Sequence, residues 1–297
     1  MTGTGHRMDV VVVGSANLDV VLTVQAIPRP GETVLAHGRA TGPGGKGANQ
    51  ASAAARAAAR TAFVCALGDD DAGRVLRDAL ADVDLHVQQT PTPTGTAYVV
   101  VDAHGENAIV VDSGANAELV LVGEQRALLA EAAVVLCQLE VPMTTVAEAL
   151  RAARGLAVLN AAPAAALPDE VVAAVDVLVV NESEAQAVSG TDQLDAALAA
   201  LVERVPEVVV TLGAQGAVVA RRGQSPVAVP AVPARQVVDT TGAGDAFCGA
   251  FAAARARGVD AVEAARLACA AASLSVERAG AACAPTLEQA QERLASL

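Results

Sequence analysis

Short runs of β-branched residues alternate with alanine-rich stretches of helical length along most of this chain. Asp9 to Gly14 reads as a strand, Gly47 to Arg60 as a helix, Thr61 to Leu67 as a strand and the stretch from Ala72 to Asp82 as a helix. After residue 113 the alternation resumes, with strands expected near Ala133 to Gln138, Leu156 to Asn160, Asp176 to Asn181 and Glu207 to Leu212. Helices are expected in the intervals, and from Gly242 onward the tail reads as nearly all helical. This pattern predicts an α/β fold, a mostly parallel sheet flanked by helices on both faces. Alanine is the best helix former, so the alanine-rich tracts are helices and not disordered linkers.

Two regions break the alternation. Leu18 to Thr41 carries Pro28, Pro30 and Gly31, and Thr94 to Asp112 holds two β-like runs around Ala103-His104-Gly105-Glu106, as a hairpin would. Inserts at about 18–43 and 94–112, lacking helices, are expected to pair into a small separate sheet within a single α/β domain spanning 1–297. No internal repeat interrupts this plan.

Composition narrows the function. At 297 residues and 53% apolar content the chain can build a sizeable core. A formal net charge of −13 without a basic cluster argues against nucleic acid and anionic membrane surfaces as partners, because both require Lys and Arg to neutralise phosphates. An acidic protein can still bind an anion through local backbone amides. Lys46 is the single lysine among 20 basic residues, in keeping with a bias towards Arg and Ala. Cys65, Cys137, Cys248, Cys269 and Cys283 show neither metal-type spacing nor the density of a disulfide scaffold, which fits a reducing cytoplasm. His6, His37, His86 and His104 are too scattered for a zinc site. The opening segment Met1 to Met8 lacks the apolar stretch of a signal peptide, and no run reaches the ~18 apolar residues that span a membrane.

The richest chemistry lies in Asp239-Thr240-Thr241-Gly242-Ala243-Gly244-Asp245-Ala246-Phe247-Cys248. An apolar helix follows the glycine turn, so the amides of Gly242, Ala243 and Gly244 are expected to stand unpaired at its N-terminus, where the positive end of the helix dipole attracts anions. An acidic residue, Asp245, looks misplaced in an anion site unless it removes a proton from an attacking hydroxyl. A capped helix start would use the same residue types. Gly42, Gly44 and Gly47 satisfy G-x-G-x-x-G, but a dinucleotide fingerprint belongs between the first strand and first helix, with an acid ~20 positions on, and here it does not. A Walker A loop is excluded because Gly47, not Ser or Thr, follows Lys46.

Position by position, Asp239 to Cys248 resembles the C-terminal signature of the PfkB family of carbohydrate kinases. The resemblance runs from about Val10 to Ala284 and is strongest to the ribokinase branch, through Gly44-Gly45-Lys46-Gly47-Ala48-Asn49-Gln50. It implies an ATP-dependent sugar kinase acting on the 5-hydroxyl of D-ribose, with deoxyribose, fructose, adenosine or pseudouridine as alternative acceptors. Asp245 is then the base, Gly242, Ala243 and Gly244 form the anion hole, and Asn17, Asp19, Gly45, Lys46, Gly47, Asn49 and Glu140 bind the sugar. For the nucleotide the resemblance implies Asn181, Thr211, Gly213, Gly216, Gly244 and Cys269, the last where the family often has Asn or His. Asn181 and Glu184, an N-x-x-E pair one helical turn apart, would hold Mg²⁺ through water, although an N-cap with a first-turn acid needs the same residues. A monovalent cation, K⁺, would rest on Asp239, Thr241, Ser275, Arg278, Gly280 and Ala284. Ribokinases often have a side-chain hydroxyl at the last of these positions. The β inserts would form a lid over the sugar and the contact of a homodimer.

Overall fold

In the computed structural model, which describes residues 7–297, thirteen strands, ten α-helices and two short 3₁₀ helices are found among the described residues. His6 and most of the opening segment read above for a leader lie outside them. The strands are β1 (Val10–Val13), β2 (Asn17–Thr23), β3 (Gly38–Gly44), β4 (Thr61–Gly68), β5 (Asp84–Thr90), β6 (Gly95–Val101), β7 (Asn107–Asp112), β8 (Val134–Cys137), β9 (Leu156–Asn160), β10 (Val177–Asn181), β11 (Glu207–Thr211), β12 (Gly216–Arg221) and β13 (Val227–Pro230). The helices are α1 (Lys46–Arg56), α2 (Asp71–Ala79), α3 (Gly123–Glu131), α4 (Met143–Ala152), α5 (Asp169–Val172), α6 (Glu182–Ser189), α7 (Leu194–Arg204), α8 (Ala243–Ala256), α9 (Ala261–Ser275) and α10 (Leu287–Ala295).

Nine strands form one sheet in the order β13-β12-β11-β10-β9-β8-β1-β4-β5, parallel from β11 to β5. The all-valine strand β1 explains why both faces are covered. Val10 and Val12 point into a core shared with α1, α8 and α9, while Val11 and Val13 point into one shared with α3, α4 and α7. β2, β3, β6 and β7 make a separate four-stranded sheet in the order β3-β2-β6-β7, with β6 and β7 joined as the expected hairpin.

The expectation of helices in every interval fails between Leu212 and Gly242. That stretch adds β12 and β13, antiparallel, to the edge of the large sheet. A tight turn through Gly213–Gln215 reverses the chain, and a reversal this short leaves no room for a crossover helix. β5 also escapes the sequence pattern, because this edge strand is only partly covered and carries no apolar run.

Helix α8 packs against α1 and α9. The α1–α8 approach is so close that a Cβ at Gly249 would lie 2.5 Å from the Gln50 carbonyl oxygen and 2.8 Å from the Ala54 amide. Glycine at 249 therefore sets the distance between the helix starts that carry Lys46, Asn49 and Gln50 on one side and Asp245 on the other.

Candidate active site

The chain leaves β1 towards β4 on one side and later returns to β8 on the other, so the carboxyl ends of β1 and β8 flank a switch point, where open α/β sheets bind ligands. Ser15, just beyond β1, donates from Oγ to Glu140 Oε2 at 2.5 Å, and the Lys46 amide donates to the same oxygen at 3.1 Å. The N-cap of α1 is Gly45, which at φ 89° has no side chain to offer, and Glu140 supplies the missing acceptor. Asn17, buried at the start of β2, is held by Asn116, whose Nδ2 donates to Asn17 Oδ1 at 2.7 Å. Asn116 also bonds the Ala16 amide and carbonyl.

Asp245 is 7% exposed, in the first turn of α8. Asn49 Nδ2 donates to its Oδ2 at 3.1 Å and Gln50 Nε2 to its Oδ1 at 2.9 Å, both from α1. Burial pushes the Asp245 carboxyl above the usual carboxylate range, against the opposing pull of Lys46, Gln50 and Asn49. The Lys46 ammonium is driven down by burial, but Asp245, Glu140 and Glu184 around it outweigh that and raise its pKa.

Asp19, on β2, completes a carboxylate cluster. Burial first, then Glu140 and Asp245, push its pKa up to about 6 from 3.8. Asp19 thus binds its proton more tightly folded than unfolded, and the stability this contributes is full below pH 3.8 and lost as pH rises through about 6. Asp19→Asn is accordingly expected to melt increasingly above the ligand-free wild type as pH is raised from about 4 to 7. A melting difference that stays constant over that range would exclude the linkage.

Lys46, Asn181, Glu184, Gly244 and Asp245 line a cavity of about 210 Å³. It shares Thr211 and Gly244 with a second cavity of about 510 Å³, which is lined further by Gly213, Gly216, Phe247 and Cys269. A small polar chamber therefore adjoins a larger, mainly apolar one of small-molecule size. Between them stands the N-terminus of α8, where Gly242 adopts φ 76° and offers no side-chain cap. The amides of Gly242, Gly244 and Asp245 make no hydrogen bond among the described residues. The Ala243 amide departs from expectation. It donates to the Thr240 carbonyl at 3.3 Å, a long bond of the 3₁₀ type that tightens helix starts.

Asn181 and Glu184 form a reciprocal capping box. Asn181 Oδ1 accepts from the Glu184 amide at 2.8 Å, and Glu184 Oε2 from the Asn181 amide at 2.9 Å. The second carboxylate oxygen of Glu184 has no such protein partner among the described residues, so the pair fits a Mg²⁺ ion held through water but not one wrapped by both side chains. Around Asp239, the Thr241 amide donates to Oδ1 and the Gly280 amide to Oδ2, both at 2.9 Å. The Val276 carbonyl, between Ser275 and Arg278, accepts from the Val238 and Asp239 amides and joins the same turn. Burial raises the Asp239 carboxyl, and the Thr241 side chain, then the Gly280 and Thr241 amides, more than offset it, leaving the group below its usual range. Ala284 does not fit as the last cation ligand. Its carbonyl accepts from Arg56 Nε, and a guanidinium at that oxygen repels a cation.

Sequence reasoning passes over Ser15, Gln50, Asn116, Gln138 and Asn160, all buried polar residues. Gln138 and Asn160 do carry a signal. Each is a lone polar residue at the carboxyl end of a parallel apolar strand, on the edge where ligands bind.

Comparison with known proteins fits this geometry. Residues 7–287 match the pfkB family carbohydrate kinases. The chain is 38% identical to the ribokinase of Haemophilus influenzae over 93% of its own length and 94% of that protein's. It is 36% identical to the deoxyribokinase of Salmonella typhimurium, over 82% of the chain and 85% of that protein. The structure of Arabidopsis thaliana ribokinase complexed with ribose and ATP superposes with a TM-score of 0.90 at 33% identity, covering 97% of this chain and 98% of that one.

Proposed function

The chain belongs to the PfkB family of carbohydrate kinases, which are phosphotransferases, and on that premise we propose that it transfers the γ-phosphate of ATP to the 5-hydroxyl of D-ribose. The observation that carries this reading is the meeting, at one helix end, of a buried carboxylate and unpaired amides on the wall between the two adjoining cavities. Asp245 takes the proton of the sugar hydroxyl. The amides of Gly242 and Gly244, with Ala243 between them, stabilise the charge that develops on the transferred group. Lys46 lies in the same chamber as a fixed positive charge. Asn17, Asp19, Asn49 and Glu140, with the backbone of Gly45 and Gly47, bind the sugar hydroxyls. The larger cavity, with Thr211, Gly213, Gly216 and Cys269, takes the nucleotide. Asn181 and Glu184 would hold Mg²⁺ through water, and the ion when bound neutralises phosphate charge.

The four-stranded sheet acts as a lid whose closure excludes water, which otherwise competes as acceptor. Its β6–β7 hairpin exposes Tyr98, Ile109, Val110 and Val111, a face suited to pairing two copies into a homodimer. Five free cysteines and ATP dependence fit work in the cytoplasm. K⁺ acts at the Asp239 turn as a weak activator, because Ala284 offers no hydroxyl and its carbonyl is occupied by Arg56. Similarity to a deoxyribokinase makes 2-deoxyribose the foremost alternative acceptor.

A coupled ADP-release assay with MgATP and ribose, deoxyribose, fructose, adenosine or pseudouridine, with and without K⁺, tests this directly. Ribose is expected to give the highest kcat/KM; a larger value for any other acceptor would overturn the substrate assignment. Within the same assay, Asn17→Ala is expected to raise KM for the sugar well above any change in KM for ATP. Equal changes in both would remove Asn17 from the sugar site.

A further inference from the structure

Behind Asp245 lies a row of buried primary amides. Gln50 and Gln138 are fully buried and Asn160 is 7% exposed. Gln138 Nε2 donates to Gln50 Oε1 at 2.6 Å, and Gln50 Nε2 donates both to Asp245 Oδ1 at 2.9 Å and to Asn160 Oδ1 at 3.0 Å. Asn160 Nδ2 donates to the Val179 carbonyl at 3.2 Å.

The directions of these bonds follow from chemistry. A backbone carbonyl only accepts, so Asn160 must turn its NH₂ towards Val179 and its oxygen towards Gln50. An ionised carboxylate also only accepts, so both N–H bonds of Gln50 are used, one on Asn160 and one on Asp245. The Gln50 oxygen is then left facing Gln138, which must present its own NH₂. The remaining oxygen of Gln138 ends the row, buried and without a partner among the described residues. An unpaired buried acceptor costs about 1–3 kcal/mol, yet turning Gln138 over would only move the conflict next to Gln50.

We infer that Gln138 and Asn160 fix the orientation of Gln50, and that Gln50 is a positioning residue that presents Asp245 as an ionised, correctly turned base. This rests on the reading of Asp245 as the base given above. A flipped Gln50 would set its oxygen against the carboxylate, and an apolar residue at 50 would leave one carboxylate oxygen dry and unpaired. The charged and titratable groups facing Asp245 are Lys46 from α1, Asp19 from β2, Glu140 after β8, Glu184 from α6 and Cys248 of its own helix. Gln50 supplies a neutral donor among them, one whose effect does not itself titrate.

The test compares Gln50→Met, Gln138→Met and Asp245→Asn with wild type, using the pH profile of kcat/KM for ribose and thermal melting. Methionine keeps the length of glutamine without its amide. Gln50→Met is expected to lower kcat roughly 10–100-fold, as loss of a hydrogen bond to a charged group should, and to move the acid limb up by about 1–2 pH units. Gln138→Met should shift both in the same direction by less, with KM for ATP unchanged. An Asp245→Asn variant that stays inactive while both methionine variants keep the wild-type acid limb would overturn the inference and leave Asp245 as the base. A lowered melting temperature with an unmoved acid limb would likewise overturn it, assigning the amides to packing alone. An active Asp245→Asn would instead remove the base itself.

Discussion

Asp245→Asn is expected to lower kcat by about 10²–10⁴-fold, the range associated with a positioned general base. Asparagine keeps the shape of the side chain and, through its remaining oxygen, an acceptor for the Gln50 amide at the first turn of α8. It loses the capacity to take a proton and the acceptor for Asn49 Nδ2, so Asn49 must turn its own oxygen towards the new NH₂. The fold should therefore persist, and binding of ATP and ribose, followed by calorimetry, should change little beside the change in turnover. Wild-type activity should fall on the acid side with a midpoint above the ordinary carboxylate range, because burial raises the Asp245 pKa. A variant with near wild-type turnover would place the proton acceptor elsewhere, Asp19 and Glu140 being the carboxylates next to consider.

Gly249→Val should destabilise the protein by roughly 3 kcal/mol, the upper part of the range for overpacking, because its Cβ would meet the α1 backbone and not a side chain that can swing away. For a chain of this size that corresponds to a fall in melting temperature of roughly 5–10 °C. Gly123→Val, at a position where a Cβ meets nothing within 4 Å, serves as the control and should stay within about 0.5 kcal/mol of wild type. Molecules of Gly249→Val that fold should also turn over more slowly, since pushing α8 from α1 separates Asp245 from Asn49 and Gln50. Melting and turnover at wild-type values would show that the two helices can part without cost.

The parallel part of the large sheet is legible because strands covered on both faces must be apolar throughout, as Val10 to Val13 and Val177 to Val180 are. β5 is not, because its partly exposed edge carries Asp84, His86, Gln88 and Gln89, which read as loop. β12 and β13 are hidden for another reason. Their apolar runs are short, and the alternation on either side of them favours a helix that the Gly213–Gln215 turn does not permit. In the candidate site, residues clustered in one segment, such as Gly242 to Asp245, announce themselves through turn chemistry. Gln50, Gln138 and Asn160 lie 88 and 110 residues apart from one another in their hydrogen-bonded pairs, and only the folded chain brings the Gln50 side chain of α1 to the residues at the carboxyl ends of β8 and β9. Asn181 and Glu184 show the opposite limit. Their spacing is equally that of a helix cap, and in the folded chain the cap is what their hydrogen bonds make.

Lys46 gives the protein a built-in chemical address. The sequence contains no other ε-amine, and this one borders the chamber that also holds Asp245. A reagent that acylates lysine side chains therefore has a single internal target, and mass spectrometry of the intact chain reads its occupancy as one added group beside that of the N-terminus. The surrounding carboxylates keep the amine protonated and slow to react, so labelling measures the electrostatics of the chamber as well as its accessibility.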